Sequence, residues 1–318
     1  MKLKNVVVTG GCGFIGSNLT NWLVSRGCKV LVIDNLVTGK LDNIDINNPY
    51  ITFLEHDLLE KIPDHYLEGM EAVFHLAANA DIRFGMMHTE KDIEQNILVT
   101  ERLMKSAVDA KIKDFIFSST AAALGEPNIF PTPESTPIPN QTSLYGMSKL
   151  AAEGILSTYS SHYNLRVSVF RFVSIVGPKY SHGHIIDFVR KMNKNPDQLE
   201  ILGDGKQQKS YLHIDDMLSA INLVLDTHDS NQSFFEVYHL GNSEYCKVED
   251  SADVICKTLR LNPEYKFTGG KRGWVGDSPF VHLDTSKLQQ LGWEPKIRIF
   301  DAIQDTAKWL KDNGEFVE

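Results

Sequence analysis

The chain has few of the features that mark secreted, membrane-embedded or nucleic-acid-binding proteins. Only four cysteines occur in 318 residues: Cys12, Cys28, Cys246 and Cys256. None falls in a Cys-x-x-Cys spacing, so the sequence offers no disulfide framework, and a reducing, cytoplasmic setting is expected. No apolar run approaches the roughly 20 residues that cross a bilayer. The opening Met-Lys-Leu-Lys-Asn-Val-Val-Val meets glycine too soon for a signal peptide. Positive charge is not in excess: the formal net charge is -9. Broad attraction to nucleic acid or an anionic membrane is therefore not expected, and an anionic substrate needs a local basic pocket. Eleven histidines are scattered. His182 and His184 lie close together but lack further ligands at metal-site spacing, so no metal is expected. There is no internal repeat, low-complexity tract or flexible linker.

What is present is an ordinary globular composition, 42% hydrophobic and 23% charged, in a chain long enough for one large or two closely joined domains. Val6–Thr9, Val30–Ile33, Ile51–Glu55, Ala72–Leu76, Phe115–Ser118 and Val167–Arg171 read as strands. Several are apolar at every position, which suits strands buried on both faces. Helical candidates near Ile15–Ser25, Asp92–Asp109 and Tyr145–Tyr163 alternate with them. That rhythm predicts an α/β fold, a doubly wound parallel (Rossmann) sheet. After residue 172 the loops lengthen, around Gly177–Gly183, Gly203–Lys209 and Thr268–Pro279. Asp215–Leu225 and Glu236–Leu240 read as a further helix and strand of the sheet, and Val248–Leu259 and Ile299–Lys311 as later helices. The expected organisation is a nucleotide-binding domain over 1–172, to which 213–241 return, and a smaller interleaved substrate lobe over 173–318, with a cleft between them.

Thr9–Gly16 reads Thr-Gly-Gly-Cys-Gly-Phe-Ile-Gly, between the first strand and the first helix. Gly10, Gly13 and Gly16 suit a tight turn, close approach to a pyrophosphate, and close helix–strand packing. The helix N-terminus then offers N–H groups to phosphate. About 20 residues on, Asp34 ends strand two. A carboxylate there accepts from both ribose hydroxyls and repels a 2′-phosphate, which favours NAD over NADP. The plainer alternative is a turn residue before Asn35. Asp57-Leu58 follows strand three within reach of an adenine edge, although an acid after a strand is often only a turn former. His75-Leu76-Ala77-Ala78 follows strand four, where small residues let the backbone approach a cofactor.

Thr120 ends strand five on the carboxyl edge, where doubly wound sheets bind ligands. Tyr145 and Lys149 lie four apart on a helix and project from one face. A Lys charge beside the phenol lowers its pKa from about 10 toward neutrality, making a base for a sugar or alcohol hydroxyl. Thr120 is placed to hydrogen-bond that hydroxyl, and Ser118 and Ser119 read as structural.

These motifs carry a resemblance. Thr9–Gly16, Asp34–Gly39, His75–Ala78, Phe117–Gly125, Tyr145–Lys149, Arg171–Pro178, Gly203–Asp216, Leu283–Leu288 and Leu291–Pro295 resemble, in order along almost the whole chain, the extended short-chain dehydrogenases/reductases acting on nucleotide-diphosphate sugars. The nucleotide-sugar epimerase group, UDP-glucose 4-epimerases above all, is the most similar. The resemblance implies an NAD-dependent epimerase with Thr120, Tyr145 and Lys149 as catalytic residues. It implies a cofactor site of Gly10, Gly13, Phe14, Ile15, Gly16, Asp34, Asn35, Asp57, Leu58, Leu76, Ala77 and Ala78 together with Tyr145 and Lys149. Lys209 falls where relatives use an Arg on the substrate phosphate, and Arg272 lies near a second such Arg. Ser174 stands in place of an Asn beside the diphosphate, and Leu124 in place of a Tyr. Val281 falls at a gate beside the sugar C2 substituent. Related 4,6-dehydratases carry an Asp-Glu pair where this chain has Ala121 and Ala122, which cannot move protons. Relatives pair the Asp92–Asp109 and Tyr145–Tyr163 helices into a four-helix bundle, so a homodimer is implied. A net dehydrogenase or reductase, or a non-catalytic NAD sensor on the same fold, are the alternatives.

Overall fold

Val6, Val7 and Val8 are fully buried, as a run without a polar break should be when both faces of its strand are covered. They form β1 (Asn5–Thr9), followed by α1 (Phe14–Val24), β2 (Lys29–Asp34), β3 (Ile51–Glu55) and β4 (Ala72–His75). A broken helical stretch comes next: α2 (Ile82–Met87), α3 (Thr89–Asp92), a π-helical turn at Ile93–Leu98, and α4 (Val99–Asp109). Then come β5 (Asp114–Thr120), α5 (Leu144–Tyr163) and β6 (Arg166–Phe172). The remainder runs β7 (Ser174–Val176), α6 (His184–Lys194), β8 (Gln198–Ile201), β9 (Gln208–Lys209), β10 (Tyr211–His213), α7 (Ile214–Thr227), β11 (Phe234–Leu240), β12 (Cys246–Lys247), α8 (Val248–Leu259), β13 (Glu264–Phe267), α9 (Ser286–Gln290) and α10 (Ile299–Asp312). This computed structural model describes residues 3–138, 140–227, 232–274 and 276–316.

Seven strands form one sheet in the order β3-β2-β1-β4-β5-β6-β11. The pairings from β3 through β6 are all parallel. Flanked by helices, this is the doubly wound Rossmann-like α/β fold that the strand–helix rhythm predicts. The order reverses between β1 and β4, and at such a switch point the loops leaving the two strands open a crevice for ligands. Gly10 follows β1 and Leu76 follows β4, so both lie at that point.

Val7, Leu31, Val73, Phe115 and Val167 of the sheet pack with Leu103 and Met104 of α4 and Ala152 and Leu156 of α5 in one buried cluster. Full burial of a side chain such as Phe115 contributes about 2–3 kcal/mol. Ser143 caps α5, its hydroxyl accepting from the Gly146 N–H at 3.1 Å. Asn164, in the left-handed region at φ 56°, ends it.

The chain divides into two compact units. The first takes Met1–Gly125, Pro137–Phe172 and Ile221–Tyr238; the second takes Glu126–Thr136, Val173–Ala220 and His239–Glu318. In the second unit α10 packs on α8 and α6. There the Asp216 carboxylate accepts from the Lys296 and Ile297 N–H groups at 3.0 and 2.9 Å, and the Trp293 indole donates to Ser219 Oγ at 2.9 Å. Among the described residues, no helix is long and apolar enough to cross a membrane.

Two elements differ from the sequence reading. Asp92–Asp109 is not one regular helix, because a π-helical turn intervenes. His184–Lys194 is a helix where only a loop ending at Gly183 stands out in the sequence.

Candidate active site

The glycine turn is packed backbone against backbone. Gly10 sits at φ +66°, and a Cβ there would lie 2.7 Å from the Ala77 nitrogen. A Cβ on Gly16 would lie 2.1 Å from the Gly10 carbonyl oxygen. Gly13 caps α1 without a side chain, and the first turn of α1 carries no acid. The partial positive end of the helix is thus not answered by a carboxylate of its own, which is the arrangement that fits a dinucleotide pyrophosphate. Phe14 is buried and Ile15 part-buried behind it.

Asp34 ends β2, with Oδ2 accepting from the Cys12 N–H at 2.9 Å and Oδ1 from the Leu36 N–H at 2.8 Å. It is therefore a turn former that also ties β2 to the glycine loop. Each carboxylate oxygen keeps acceptor capacity for a ribose hydroxyl. Asn35 closes a similar turn by accepting from the Val37 N–H at 3.2 Å. Asp57 does the same from the Leu59 N–H at 2.9 Å, and the Leu58 side chain lies in the core cluster.

At the switch point a buried relay joins the two loops. The Leu76 and Ala77 N–H groups both reach Thr9 Oγ1 at 3.3 Å, and Ala78 follows them. Thr9 Oγ1 lies 2.8 Å from His75 Nδ1, and His75 Nε2 lies 3.0 Å from Thr100 Oγ1. Thr100 donates its own proton to the Asn96 carbonyl at 2.7 Å. Its oxygen must then accept from His75, which assigns the proton to Nε2 and leaves Nδ1 to accept from Thr9. Burial, and then the Lys149 charge, pull the His75 pKa down to about 3.

Thr120, Tyr145 and Lys149 come together at the carboxyl end of β5. The Thr120 side chain lies close enough to the Tyr145 hydroxyl to pull its pKa down. Thr120 Oγ1 accepts from the Ala122 N–H at 3.1 Å, so its proton is directed away from its own backbone. Lys149 is buried, donates to the Ser118 carbonyl at 2.9 Å, and lies 4.7 Å from the Phe117 ring centre. Burial brings its pKa down to about 7, against the upward pull of the Glu153 and Asp92 carboxylates. Tyr145 moves the opposite way from the sequence expectation. Burial pushes it up to about 12, Thr120 pulls it down, and Asp92 adds to the rise. The protein alone keeps the phenol protonated.

Of the residues expected to meet substrate, Ser174, Lys209, Arg272 and Val281 fall in the second unit, and Thr120 and Tyr145 in the first. Lys209 Nζ pairs with Asp277 Oδ1 at 2.6 Å and also donates to the Ser278 carbonyl. Asp277 Oδ2 accepts from the Gly273 N–H at 2.9 Å, and Arg272 donates to the Asp277 carbonyl at 2.6 Å. Arg272 also pairs with Glu126, Nη2 to Oε2 at 3.0 Å, with both side chains partly exposed. Ser174 is exposed and stands opposite Tyr211 in the β7–β10 pair. Val281 is part-buried, and its N–H donates to the Gln208 carbonyl at 3.3 Å. Buried Leu124 follows the short turn after Thr120. His184 lies 2.6 Å from Ser251 Oγ and stacks on Tyr211.

Several buried polar residues around the centre have no motif to announce them. Glu153, one helical turn beyond Lys149, is held by Arg171 through Nε at 3.0 Å and Nη2 at 2.6 Å, and by Ser119 Oγ at 2.5 Å. Asn96, in the π-helical turn, donates to Ser148 Oγ at 2.9 Å. Arg171 opens the segment Arg171–Pro178, but nothing in the sequence marks Glu153 as its partner.

Comparison with known proteins identifies a family. The NAD dependent epimerase/dehydratase family model matches residues 6–241. The chain belongs to that family. A putative UDP-glucose 4-epimerase of Methanocaldococcus jannaschii is 30% identical over 316 residues, which is 97% of this chain and 99% of that protein. The crystal structure of a UDP-galactose 4-epimerase shares 31% identity, covers 98% of this chain and 99% of its own, and superposes with a TM-score of 0.87. A UDP-N-acetylglucosamine 4-epimerase from Methanobrevibacter ruminantium, in complex with UDP-N-acetylmuramic acid, is 26% identical at TM-score 0.88, covering 98% of this chain and all of its own. Family membership accounts for the glycine turn at the switch point. It leaves open which of the family's reactions this chain performs.

Proposed function

We propose that the chain is an NAD-dependent 4-epimerase of a nucleotide-diphosphate sugar, of the UDP-Glc/Gal or UDP-GlcNAc/GalNAc type, working through a transient 4-keto intermediate. The observation that carries this is the gathering of Thr120, Tyr145 and buried Lys149 at the carboxyl end of β5, with Ala121 and Ala122 next in sequence after Thr120. NAD, when bound, would supply the reversible hydride chemistry at C4. The chain's residues do the rest. Thr120 orients the C4 hydroxyl, and Tyr145, once ionised, takes the proton from its oxygen and later gives it back. Lys149, anchored on Ser118, brings positive charge under the phenol. Burial holds the phenol up to about 12, so a cationic nicotinamide, when bound beside it, would favour its ionisation. The glycine turn and the α1 N-terminus would hold the dinucleotide pyrophosphate, and the Asp34 carboxylate would take the ribose hydroxyls. Lys209 and Arg272, with Ser174, form the substrate diphosphate site, in which phosphate competes with Asp277 and Glu126 for the two cations. Ala121 and Ala122 offer no acid or base for eliminating water, which argues against dehydratase chemistry.

The test is a panel of sugar nucleotides incubated with the protein and followed by NMR. The proposal expects interconversion of the C4 epimers with no net NADH. Stoichiometric NADH without an epimer would instead identify a net dehydrogenase.

A further inference from the structure

Asp92, the last residue of α3, is 1% exposed, and its Oδ2 has no hydrogen-bond partner. Gly85 of α2 makes room for that oxygen, since a Cβ there would lie 2.3 Å from it. Oδ1 is held by Asn79 Nδ2 at 2.8 Å and, at longer range, by Asn96 Nδ2 at 3.4 Å. The same Asn96 amide donates to Ser148 Oγ at 2.9 Å, and Ser148 donates to the Tyr145 carbonyl at 2.8 Å. A continuous chain of buried polar groups thus runs from Asp92 to the turn of α5 that carries Tyr145 and Lys149.

The charges facing Lys149 are few. Glu153 on α5 is committed to Arg171 of β6. His75 of β4 is neutral in its relay. Asp92 alone among these carboxylates has no cation of its own, and its charge acts on both Lys149 and Tyr145. A buried carboxyl oxygen with no partner is unfavourable, and the fold nevertheless keeps a glycine-lined space for it.

We propose that Asp92 is a positioning residue, the counter-charge that keeps Lys149 an ammonium beneath Tyr145 and, through Asn96 and Ser148, fixes the first turn of α5. This rests on the reading of Tyr145 and Lys149 as the reacting pair. Asp92→Asn removes the charge while keeping the shape and a carbonyl for Asn79. Without the negative charge both ionisations become easier, so both move to lower pH. Nitrogen NMR of Lys149 Nζ in the cofactor-free protein should show its titration midpoint falling by about 0.5–1 unit, and the pH profile of kcat should move the same way. Gly85→Ala keeps the charge but displaces the carboxylate, and should give a smaller shift of the same sign. It decides the matter if Asp92→Asn does not fold. A Lys149 midpoint unmoved or raised in the soluble variant overturns the proposal, even if kcat falls, because a purely structural role lowers the rate without moving the titration. Tyr145→Phe separates the two readings: full activity there removes the reacting pair itself, whereas an inactive Tyr145→Phe with an unmoved Asp92→Asn titration removes only the role of Asp92.

Discussion

The Lys149 ammonium donates to the carbonyl of Ser118 at 2.9 Å. Ser118 lies two residues before Thr120, so the strand that ends in one member of the candidate triad also anchors another. Tyr145, the third member, has its pKa pulled down by the Thr120 side chain. Thr120 and the anchor of Lys149 are therefore fixed by the same strand.

Tyr145→Phe keeps the ring and loses the phenol. Turnover should fall by a factor on the order of 10²–10⁴, the usual worth of a positioned acid–base group, with cofactor still bound. Steady-state rates alongside cofactor content after gel filtration check this. Near-normal turnover would remove Tyr145 as the base.

Acid sensitivity should come in part from His75. Its folded pKa is depressed to about 3, below an unfolded value of 6.5. Between those limits the unfolded chain binds the extra proton, so stability is lost as pH falls through that window. The loss amounts to about 2 kcal/mol by pH 5. Denaturant midpoints at pH 7 and 5 should show a smaller drop in His75→Gln than in the wild type. Equal drops would mean that His75 is not buried neutral.

The outer faces of α4 and α5 carry an open hollow lined by Glu101, Ala151, Gly154, Ile155, Thr158 and Tyr159. The Tyr159 hydroxyl donates to Glu101 at 2.9 Å along its edge, and a Cβ on Gly154 would touch nothing within 4 Å. Small residues there would let a second copy's helices approach, and we expect a homodimer. Light scattering at micromolar concentration should give twice the chain mass, and Gly154→Arg should give one chain mass. A monomeric wild type contradicts this.

Val281 is small for a gate. Held by its N–H on Gln208, it would, as the gate, leave room for an acetamido group at the sugar C2. UDP-GlcNAc should turn over comparably to UDP-Glc, and Val281→Tyr should abolish only the former. Turnover of UDP-Glc without UDP-GlcNAc in the wild type would exclude the gate.

Much of the sheet could be read from short apolar runs, because a strand covered on both faces has no polar alternation to conceal it. Ile51–Glu55 and Val248–Leu259 have the same bounds in sequence and structure. Helix α6 escaped because Gly183 and two nearby histidines look like loop, although Ile185, Ile186, Phe188, Val189 and Met192 are all buried on it. The short pairs β9–β12 and β8–β13 have too few residues for a periodicity and exist through their partners. At the candidate site, Tyr145 and Lys149 stand out by spacing, as does the glycine turn. Asp92, Asn96 and Glu153 do not, since a buried polar residue is recognisable only by partners that are remote in sequence: Glu153 needs Arg171 and Ser119, and Asn96 needs Ser148. The direction of the Tyr145 shift was missed for the same reason. Spacing reveals the nearby Lys, but not how deeply the phenol is buried or that Asp92 faces it.

The central claim is that the hydrogen leaves C4 and comes back to C4 within one enzyme. A sugar nucleotide carrying deuterium at C4, once the panel has identified one that turns over, tests this directly. NMR of the product should find the deuterium retained at C4 of the opposite epimer, with none lost to water. An epimer formed with its C4 deuterium exchanged for solvent hydrogen would contradict the account.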